Sequence, residues 1–378
     1  MPNTPSIYLD HAATTPLHPK VKEAMADTLE AFGNPSSLHS EGRKSKQIID
    51  QARENVSRAL GCEFAEIIFT SGGTEASHLA IIGAALANQN PNRNRNRIIL
   101  SSAEHHCVLG TETLLTKLGY QVELIPVTRN SIVDLGQLES ILNEQTLLVS
   151  LMSANNETGA IQPIQDALAM TKNAGALFHS DHVQGFKKEV PNPIQQGADL
   201  LTVSAHKING PKGVGATYVR AGVKVKPLIS GGEQEREQRG GTENLVGISG
   251  FGTASTLPTF SVRSIRDKFL GSILQTGAIE TTNRELTLGT HAHIRFPGID
   301  AETILIRLDR EGVCASSGAA CSSGSVEVSH VLTACGYSET EAREGLRFTF
   351  GSGNTEPEAL QAAAILSAIV GEIRKNRS

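Results

Sequence analysis

Short apolar runs alternate with helix-like segments from about residue 65 to residue 220. Seven of these runs have the length of a buried strand, and most are separated by enough residues for a crossover helix. The predicted strands are "EIIFT" (66–70), "RIILSS" (97–102), "YQVELIPV" (120–127), "TLLVSLM" (146–152), "ALFHSD" (176–181), "DLLTVSA" (199–205) and "GATYVR" (215–220). The alternation predicts an α/β fold built on a seven-stranded, mainly parallel sheet.

The pattern changes after the last of these runs. A Gly- and charge-rich stretch at 229–244, "ISGGEQEREQRGGTEN", predicts a long exposed loop, and helical periodicity follows to about residue 285. Further apolar runs and helical segments then predict a second unit of α+β type, because 378 residues are long for one core. We therefore expect a large domain over residues 15–255 and a small domain formed by residues 1–14 and 256–378.

Composition narrows the choice of partners. A net charge of −5 and a sequence pI near 6.2 argue against direct nucleic-acid binding and against an anionic membrane surface, so small molecules and proteins are expected instead. No stretch approaches the roughly 20 apolar residues of a membrane span, and the start of the chain does not resemble a secretory signal, so we expect a cytoplasmic protein. Five scattered cysteines, without paired Cys or His spacing, predict neither a disulfide framework nor a metal site.

Polar residues recur where the predicted strands end. The first, second, fourth, fifth and sixth strands are followed by "TSGGTE", "AEHH", "ANNETG", "DHVQ" and "AHK". Because the carboxyl ends of parallel strands meet at one edge of a sheet, and ligands bind there, these five segments predict one active site.

Lys207, Asp181 and the segment "SGGTE" suggest a specific cofactor. A lysine at a strand end inside a pocket loses its proton on desolvation and can attack carbonyl groups. Without its neighbours in the sequence, Lys207 would be explained more simply as a surface lysine. The backbone N–H groups of Gly73 and Thr74, at the start of a helix, suit a phosphate, although a plain helix cap has the same pattern. An Asp–Lys salt bridge is the simpler explanation for the pair alone. Pyridoxal 5′-phosphate (PLP) needs all three: a lysine, a carboxylate for its pyridine nitrogen, and a phosphate site.

Four segments, "HSDHVQG", "SAHKINGPKGVGA", "RGGTEN" and "ASSGAACSSGS", resemble those of cysteine desulfurases of the NifS/IscS type. These enzymes belong to the class V aminotransferase-like, PLP-dependent proteins of fold type I. The resemblance extends from "YLDHAATTP" to "LRFTFG" and implies that L-cysteine is converted to L-alanine, with a persulfide left on Cys321.

The resemblance implies a role for each matching residue. Lys207 would hold the cofactor covalently and later move protons at the substrate α-carbon, Asp181 would keep the pyridine nitrogen protonated, and His105 would stack on the ring and assist acid/base steps. The residues expected at the phosphate are Gly73, Thr74, Ser204, His206 and Thr242. Gln184 and Asn156 are expected near the phenolic oxygen and the substrate carboxylate, Arg347 at that carboxylate, and Asn34 in the substrate pocket. In the family the threonine comes from the partner subunit, which implies a homodimer.

Cys321 is the cysteine that decides the reaction. It lies between Gly318 and Gly324 in a Gly/Ser-rich segment without apolar periodicity, which suits a loop that carries sulfur between sites. An ordinary thiol is only about 3% thiolate at pH 7, so this one gains from activation near the cofactor. We interpret Cys62 and Cys335 as small buried hydrophobic residues. The resemblance gives no role to Cys107 or Cys314, and Cys314 is the next candidate because it is seven residues from Cys321.

Other functions remain open at this stage. The same PLP scaffold supports selenocysteine lyases and class V aminotransferases, although transamination has no use for a thiol loop. A catalytically silent binding protein would be expected to lack Lys207, Asp181 or Cys321, and all three are present. The expected sulfur acceptor is an iron–sulfur scaffold or another sulfur-carrier protein. One departure from the family is His182, where relatives usually have a small residue, so an ionisable group is expected close to the cofactor.

Overall fold

The computed structural model describes residues 6–89, 94–318 and 328–376, together with the backbone of 321–322 and 325–326. Its strands are β1 (Ile7–Tyr8), β2 (Ile67–Thr70), β3 (Arg97–Ser101), β4 (Gln121–Ile125), β5 (Thr146–Ser150), β6 (Leu177–Asp181), β7 (Leu200–Ser204), β8 (Gly215–Val219), β9 (Ile279–Glu280), β10 (His291–Arg295), β11 (Val313–Cys314), β12 (Cys321–Ser322), β13 (Ser325–Val326) and β14 (Gly345–Thr349).

The helices surround and connect these strands. They are α1 (Pro19–Thr28), α2 (Ser40–Leu60), α3 (Gly73–Ala87), α4 (His106–Leu109), α5 (Glu112–Lys117), α6 (Leu135–Ile141), α7 (Ile164–Asn173), α8 (Pro193–Gln196), α9 (Leu245–Thr256), α10 (Arg263–Ile273), α11 (Ala301–Arg310), α12 (His330–Ala334), α13 (Glu339–Arg343) and α14 (Glu356–Lys375). In the described part of the chain, none of them is both long and apolar enough to span a membrane.

The large sheet has the strand order β2-β8-β7-β6-β5-β3-β4, which confirms the seven predicted strands. Strand β8 is antiparallel to both of its neighbours, and the remaining pairs are parallel. Six strands therefore run in one direction, and their carboxyl ends lie at one edge. Strands β5 and β7 are buried at every position, as expected for parallel strands with both faces covered.

Residues from both ends of the chain form a second hydrophobic core. Strands β9, β10 and β14 form an antiparallel sheet, while β1 pairs with β11. Ile7 and Leu9 are buried in one cluster with residues of 262–373, in which Phe269 packs on Phe348 with ring centroids 4.9 Å apart. This packing agrees with the expected small domain, although the domain boundaries themselves stay a prediction.

The charged stretch at 229–244 is held by a buried ion pair. Arg53 of α2 donates two hydrogen bonds to the Glu235 carboxylate, at 2.7 and 2.6 Å, and Phe69 N donates a third at 2.9 Å. Both side chains are at most 5% exposed. Glu235, Arg236 and Glu237 all have left-handed backbone conformations, with φ values of 48°, 57° and 63°, which non-glycine residues seldom adopt. The ion pair therefore fixes a backbone shape that the segment would not adopt alone.

We expect Arg53→Met to lower the free energy of unfolding by about 3–5 kcal/mol, because it leaves the Glu235 charge buried without its partner. Urea denaturation monitored by circular dichroism measures this loss. The matched control is Arg58→Met on the same helix, since Arg58 pairs with Glu54 at side chains that are 68% and 54% exposed. The control should cost less than about 1 kcal/mol. Equal losses for the two variants would contradict the role given to the buried pair.

Candidate active site

A cavity of about 470 Å³ opens at the carboxyl edge of the large sheet. Its walls come from the segments after β2, β3, β5, β6 and β7, from the chain's first residues and from the small domain. Ten of the residues expected from the sequence line it: Gly73, Thr74, His105, Asn156, Asp181, Gln184, Ser204, His206, Lys207 and Arg347. The strand ends thus meet at the carboxyl edge of the sheet, as the parallel arrangement predicts.

Lys207 lies in a single 3₁₀ turn directly after β7. Its ammonium donates hydrogen bonds to the carbonyl oxygens of Ala12, at 2.5 Å, and Ala13, at 2.8 Å. Burial, followed by the positive charge of Arg347, lowers the pKa of Lys207 to about 8. The site therefore holds an amine that gives up its proton much more easily than an ordinary lysine and can then attack an aldehyde carbon.

Asp181 is the last residue of β6, and its carboxylate is buried. One oxygen accepts a hydrogen bond from Val183 N at 2.9 Å, while Cys107 Sγ lies 3.8 Å from the other. Burial raises the pKa of Asp181 to about 6. A carboxylate in such a dry position is stabilised by a cation in the cavity, and a protonated pyridine nitrogen is one that fits.

The start of α3 provides an anion site. The ideal Cβ position on Gly73 would lie 3.2 Å from Val183 Cγ2 and 3.6 Å from Ser204 Cβ, so the helix terminus and the end of β7 are in close approach. The Ser204 hydroxyl is buried and has no hydrogen-bond partner within the described residues. His206 is beside it in sequence, and its pKa is lowered to about 4, first by burial and then by the charge of Lys207. A buried hydroxyl without a partner beside a helix N-terminus fits a phosphate group.

His105 faces the cavity and presents a defined tautomer. Its Nδ1 accepts a hydrogen bond from Cys107 N at 3.1 Å, so in the neutral ring the proton lies on Nε2. Burial and then the charge of Lys207 lower the pKa of His105 to about 4, which keeps the ring uncharged at neutral pH. The ring is thus suited to stacking on a flat ligand and to donating one hydrogen bond.

Arg347 in β14 brings the small domain to the cavity. Its guanidinium donates to Asp10 Oδ1 at 2.8 Å and to the carbonyl oxygen of Asn156 at 2.9 Å. Its Nε is buried and unpartnered within the described residues, as is the side-chain oxygen of Asn156. A planar donor held from two sides suits recognition of a carboxylate.

The structure does not bring Asn34 and Thr242 to this cavity within one chain. Asn34 lies in an exposed loop, where its Oδ1 accepts from Ser36 N at 2.9 Å. Thr242 is exposed and lines a separate depression with Ser71 and Arg239. Their expected roles stay predictions, and the role of Thr242 needs a second chain.

Cys321 is described only through its backbone. The strand β12 that contains it pairs antiparallel with β13, with Cys321 opposite Val326. Its side chain is outside the described residues, so its expected role as the sulfur carrier stays a prediction. Ser316 and Gly318, just before this segment, line the cavity.

Family comparisons agree with this geometry. The model of the class-V aminotransferase family matches residues 7–361. This chain belongs to that family. It is 42% identical to the protein named "Cysteine desulfurase IscS" of Dictyoglomus turgidum, over 97% of this chain and 95% of the relative. It is 41% identical to the "Putative cysteine desulfurase IscS 1" of Bacillus subtilis, over 96% of this chain and 98% of that one.

Solved structures of related proteins superpose closely on this chain. A NifS-like protein from Rickettsia africae matches with a TM-score of 0.86 and 32% identity, covering 97% of this chain and 99% of that one. SspA in complex with cysteine matches with a TM-score of 0.82 and 34% identity, covering 91% and 99%. The fold type and the family inferred from the sequence are thereby confirmed.

Several cavity residues of this class-V chain were not expected from its sequence. Ala12 and Ala13 act through backbone oxygens, which have no residue-type signal. Cys107, Glu157 and His330 also line the cavity. The position of Cys107, two residues after His105, could have predicted that it lines the cavity. The short helix α4 starts after His105 and turns the Cys107 thiol toward Asp181. Among the described residues, no cluster of three or more His, Cys, Asp or Glu side chains could hold a metal ion.

His182 lies behind the cavity wall rather than in it. The ring is buried, and its Nδ1 is 2.8 Å from Ser153 Oγ. An ideal Cβ on Gly185 would lie 2.5 Å from both of these atoms, so glycine makes room for the imidazole. Burial, with a smaller contribution from the charge of Lys188, lowers the pKa of His182 to about 3. His182 is therefore a buried, uncharged ring at neutral pH that contacts Ser153 and does not line the described cavity.

We expect the acetylation rate of Lys207 in PLP-depleted protein to rise with pH through a midpoint near 8, because only the neutral amine reacts and burial lowers its pKa. Mass spectrometry of the peptide that contains Lys207, after brief exposure to acetic anhydride at each pH, measures this. Arg347→Met removes a neighbouring positive charge and should move the midpoint upward. A wild-type midpoint near the ordinary lysine value of about 10.4 would contradict the described environment.

Proposed function

We propose that this protein is a PLP-dependent cysteine desulfurase. It converts L-cysteine to L-alanine and retains the sulfur as a persulfide on Cys321 for transfer to an acceptor protein. The observation that carries the proposal is the meeting of Lys207, Asp181 and the Ser204 anion site in one cavity. The names of the relatives and the similarity to SspA, solved in complex with cysteine, support L-cysteine as the substrate.

The residues present fit the cofactor. When bound, PLP supplies an electron-withdrawing ring that stabilises negative charge at the substrate α-carbon. Lys207 would hold its aldehyde carbon and move a proton at the substrate, Asp181 would keep its pyridine nitrogen protonated, and His105 would stack on the ring. The N-terminus of α3, with Ser204 and His206, would hold its phosphate.

Residues of the expected small domain bind the substrate and accept its sulfur. Arg347 binds the α-carboxylate of cysteine, and Asn156, whose carbonyl oxygen accepts from Arg347, lies beside it. The Cys321 thiolate attacks the substrate Sγ, so that a sulfur–sulfur bond forms while the substrate Cβ–Sγ bond breaks. The electron pair of the broken bond stays with the substrate, which takes up protons and leaves as alanine.

The acceptor is a protein with a nucleophilic thiol or a metal-cluster scaffold that takes sulfur from the Cys321 persulfide. An iron–sulfur scaffold or another sulfur carrier meets this requirement. The cytoplasmic location and the absence of direct nucleic-acid binding stay predictions from composition.

The functional unit is a homodimer. Thr242 is exposed and outside its own cavity, as a residue that completes a second subunit's phosphate site must be. Large apolar side chains around Asn34 are also exposed: Leu29 at 69%, Phe32 at 82% and Leu38 at 91%. A second copy of the chain that covers this segment would remove them from water.

We expect Cys321→Ser to bind PLP and cysteine as the wild type does but to form almost no alanine, because a serine hydroxyl cannot replace a thiolate in the attack on sulfur. Cysteine-induced changes in visible absorption test binding, whereas alanine release and intact mass test the reaction. Cys314→Ser is the matched control and should keep full activity. A sulfur adduct that persists on Cys321→Ser would assign the role to another cysteine.

For the dimer, we expect Thr242→Val to leave the protein dimeric but to weaken retention of PLP by roughly tenfold, as loss of one hydrogen bond to a charged group implies. Phe32→Glu should instead shift the sedimentation coefficient toward that of a monomer. Sedimentation velocity monitored in the visible band measures both effects. A monomer saturated with PLP would contradict the shared site.

A further inference from the structure

Lys188 lies beside the active site and has no part in the mechanism above. Its side chain is only partly exposed, along a small cavity of about 120 Å³ that Lys207 also lines. Burial, followed by the positive charges of Lys207 and Arg347, lowers the pKa of Lys188 to about 7. Among the described residues no carboxylate appears among the charges that act on it. A buried ammonium without a carboxylate partner is unfavourable, so the presence of Lys188 at this position needs another explanation.

The groups that face Lys188 are cationic or neutral. Besides Lys207 and Arg347, three histidines feel its charge: His11, His182 and His291. Burial lowers the pKa of His11 to about 4 and that of His182 to about 3, and it lowers the pKa of His291 well below its ordinary value. These rings are therefore uncharged at neutral pH and do not compensate the ammonium.

The contact that Lys188 does make is with Gln184. Lys188 Nζ donates a hydrogen bond to Gln184 Oε1 at 2.9 Å, and Gln184 Nε2 donates to the carbonyl oxygen of Ala12 at 3.0 Å. The same Ala12 oxygen accepts from Lys207 Nζ. A short chain of hydrogen bonds thus connects Lys188 to the catalytic amine.

This chain determines which way the Gln184 amide faces. In its ammonium form Lys188 can only donate, and its neutral amine still donates to an acceptor, so the amide atom beside Lys188 is the oxygen. A carbonyl oxygen can only accept, so the atom beside Ala12 must be the nitrogen. Both neighbours demand the same orientation. The second hydrogen of the NH₂ group then remains for the cavity, which Gln184 lines.

We propose that Lys188 is a positioning residue that fixes the Gln184 amide so that it presents an N–H, and not a carbonyl oxygen, to the phenolic oxygen of the cofactor. The inference rests on the proposed use of PLP. An N–H donor stabilises the ionised phenolic oxygen, whereas a carbonyl oxygen facing it would be repulsive. Lys188 therefore influences the pH at which the visible absorption band of the bound cofactor titrates, because a stabilised phenolic oxygen makes the neighbouring proton easier to lose.

The test is the titration midpoint of the visible absorption band in the PLP-loaded protein. Lys188→Met keeps the apolar stem but removes one of the two contacts that orient the amide, so the amide turns more easily and the midpoint should move upward by roughly one pH unit, the equivalent of one weakened charged hydrogen bond. Lys188→Arg keeps a donor-only cation and should stay within about 0.3 units of the wild type. Lys187→Met is the matched control, because Lys187 Nζ donates to the Ser255 carbonyl oxygen instead.

A double-mutant cycle separates orientation from simple loss of charge. In a Gln184→Leu background there is no amide to orient, so adding Lys188→Met should produce no further shift. A through-space effect of the ammonium would give the same shift in both backgrounds and would overturn the proposal. So would a Lys188→Met midpoint within about 0.3 units of the wild type, or an equal shift for Lys187→Met.

Two checks keep the outcome unambiguous. If thermal unfolding shows that Lys188→Met is not folded, Lys188→Gln takes its place, since glutamine is not restricted to donating and should also release the amide. A wild-type protein without a visible band after PLP addition would refute the proposed function rather than this inference. A wild-type band with unshifted Lys188 variants would refute the inference alone.

Discussion

The common direction of six strands in the large sheet is the constraint on which the site depends. Hydrogen bonding between β6 and β7 places Asp181 opposite Thr202, five residues before Lys207. The carboxylate and the amine are therefore brought together by backbone register, not by attraction between their charges. The same alignment brings the start of α3 to Ser204, so one pairing pattern supplies the amine, the acid and the anion site.

Burial then determines how these groups behave. Lys207 and Lys188 lose part of their affinity for protons, while Asp181 gains some, because a charged group is poorly solvated in each position. Around Lys207 the positive charge of Arg347 lowers the pKa of the amine, whereas Asp181 and Asp10 act in the opposite direction. The buried Arg347 Nε and Ser204 hydroxyl, which have no partner in the described part of the chain, then remain for an anionic ligand.

The sequence was most informative where residue type and position in a strand agree. All seven strands of the large sheet were predicted because each is a short apolar run. The rule that strand ends converge placed nine of the ten candidate residues at one site, whereas Arg347 was expected only from the family resemblance. The direction of β8 was not predictable in the same way, since "GATYV" has the same pattern in either orientation. The carbonyl oxygens of Ala12 and Ala13 were missed because any residue supplies them and they lie nearly 200 positions from Lys207. Thr242 falls outside the cavity of its own chain, as expected for a residue that serves a partner subunit, whereas Asn34 lies in an exposed loop and does not line the cavity.

The left-handed run Glu235–Glu237 has a consequence for the order of assembly. Its backbone shape depends on Arg53, which lies 182 residues earlier and must already be docked against the sheet. The surface that contains Thr242 therefore acquires its final form only after α2 and β2 have packed together. In the proposed dimer, an incompletely folded chain would lack the shape that a second subunit recognises, so pairing would be restricted to chains whose own core has folded.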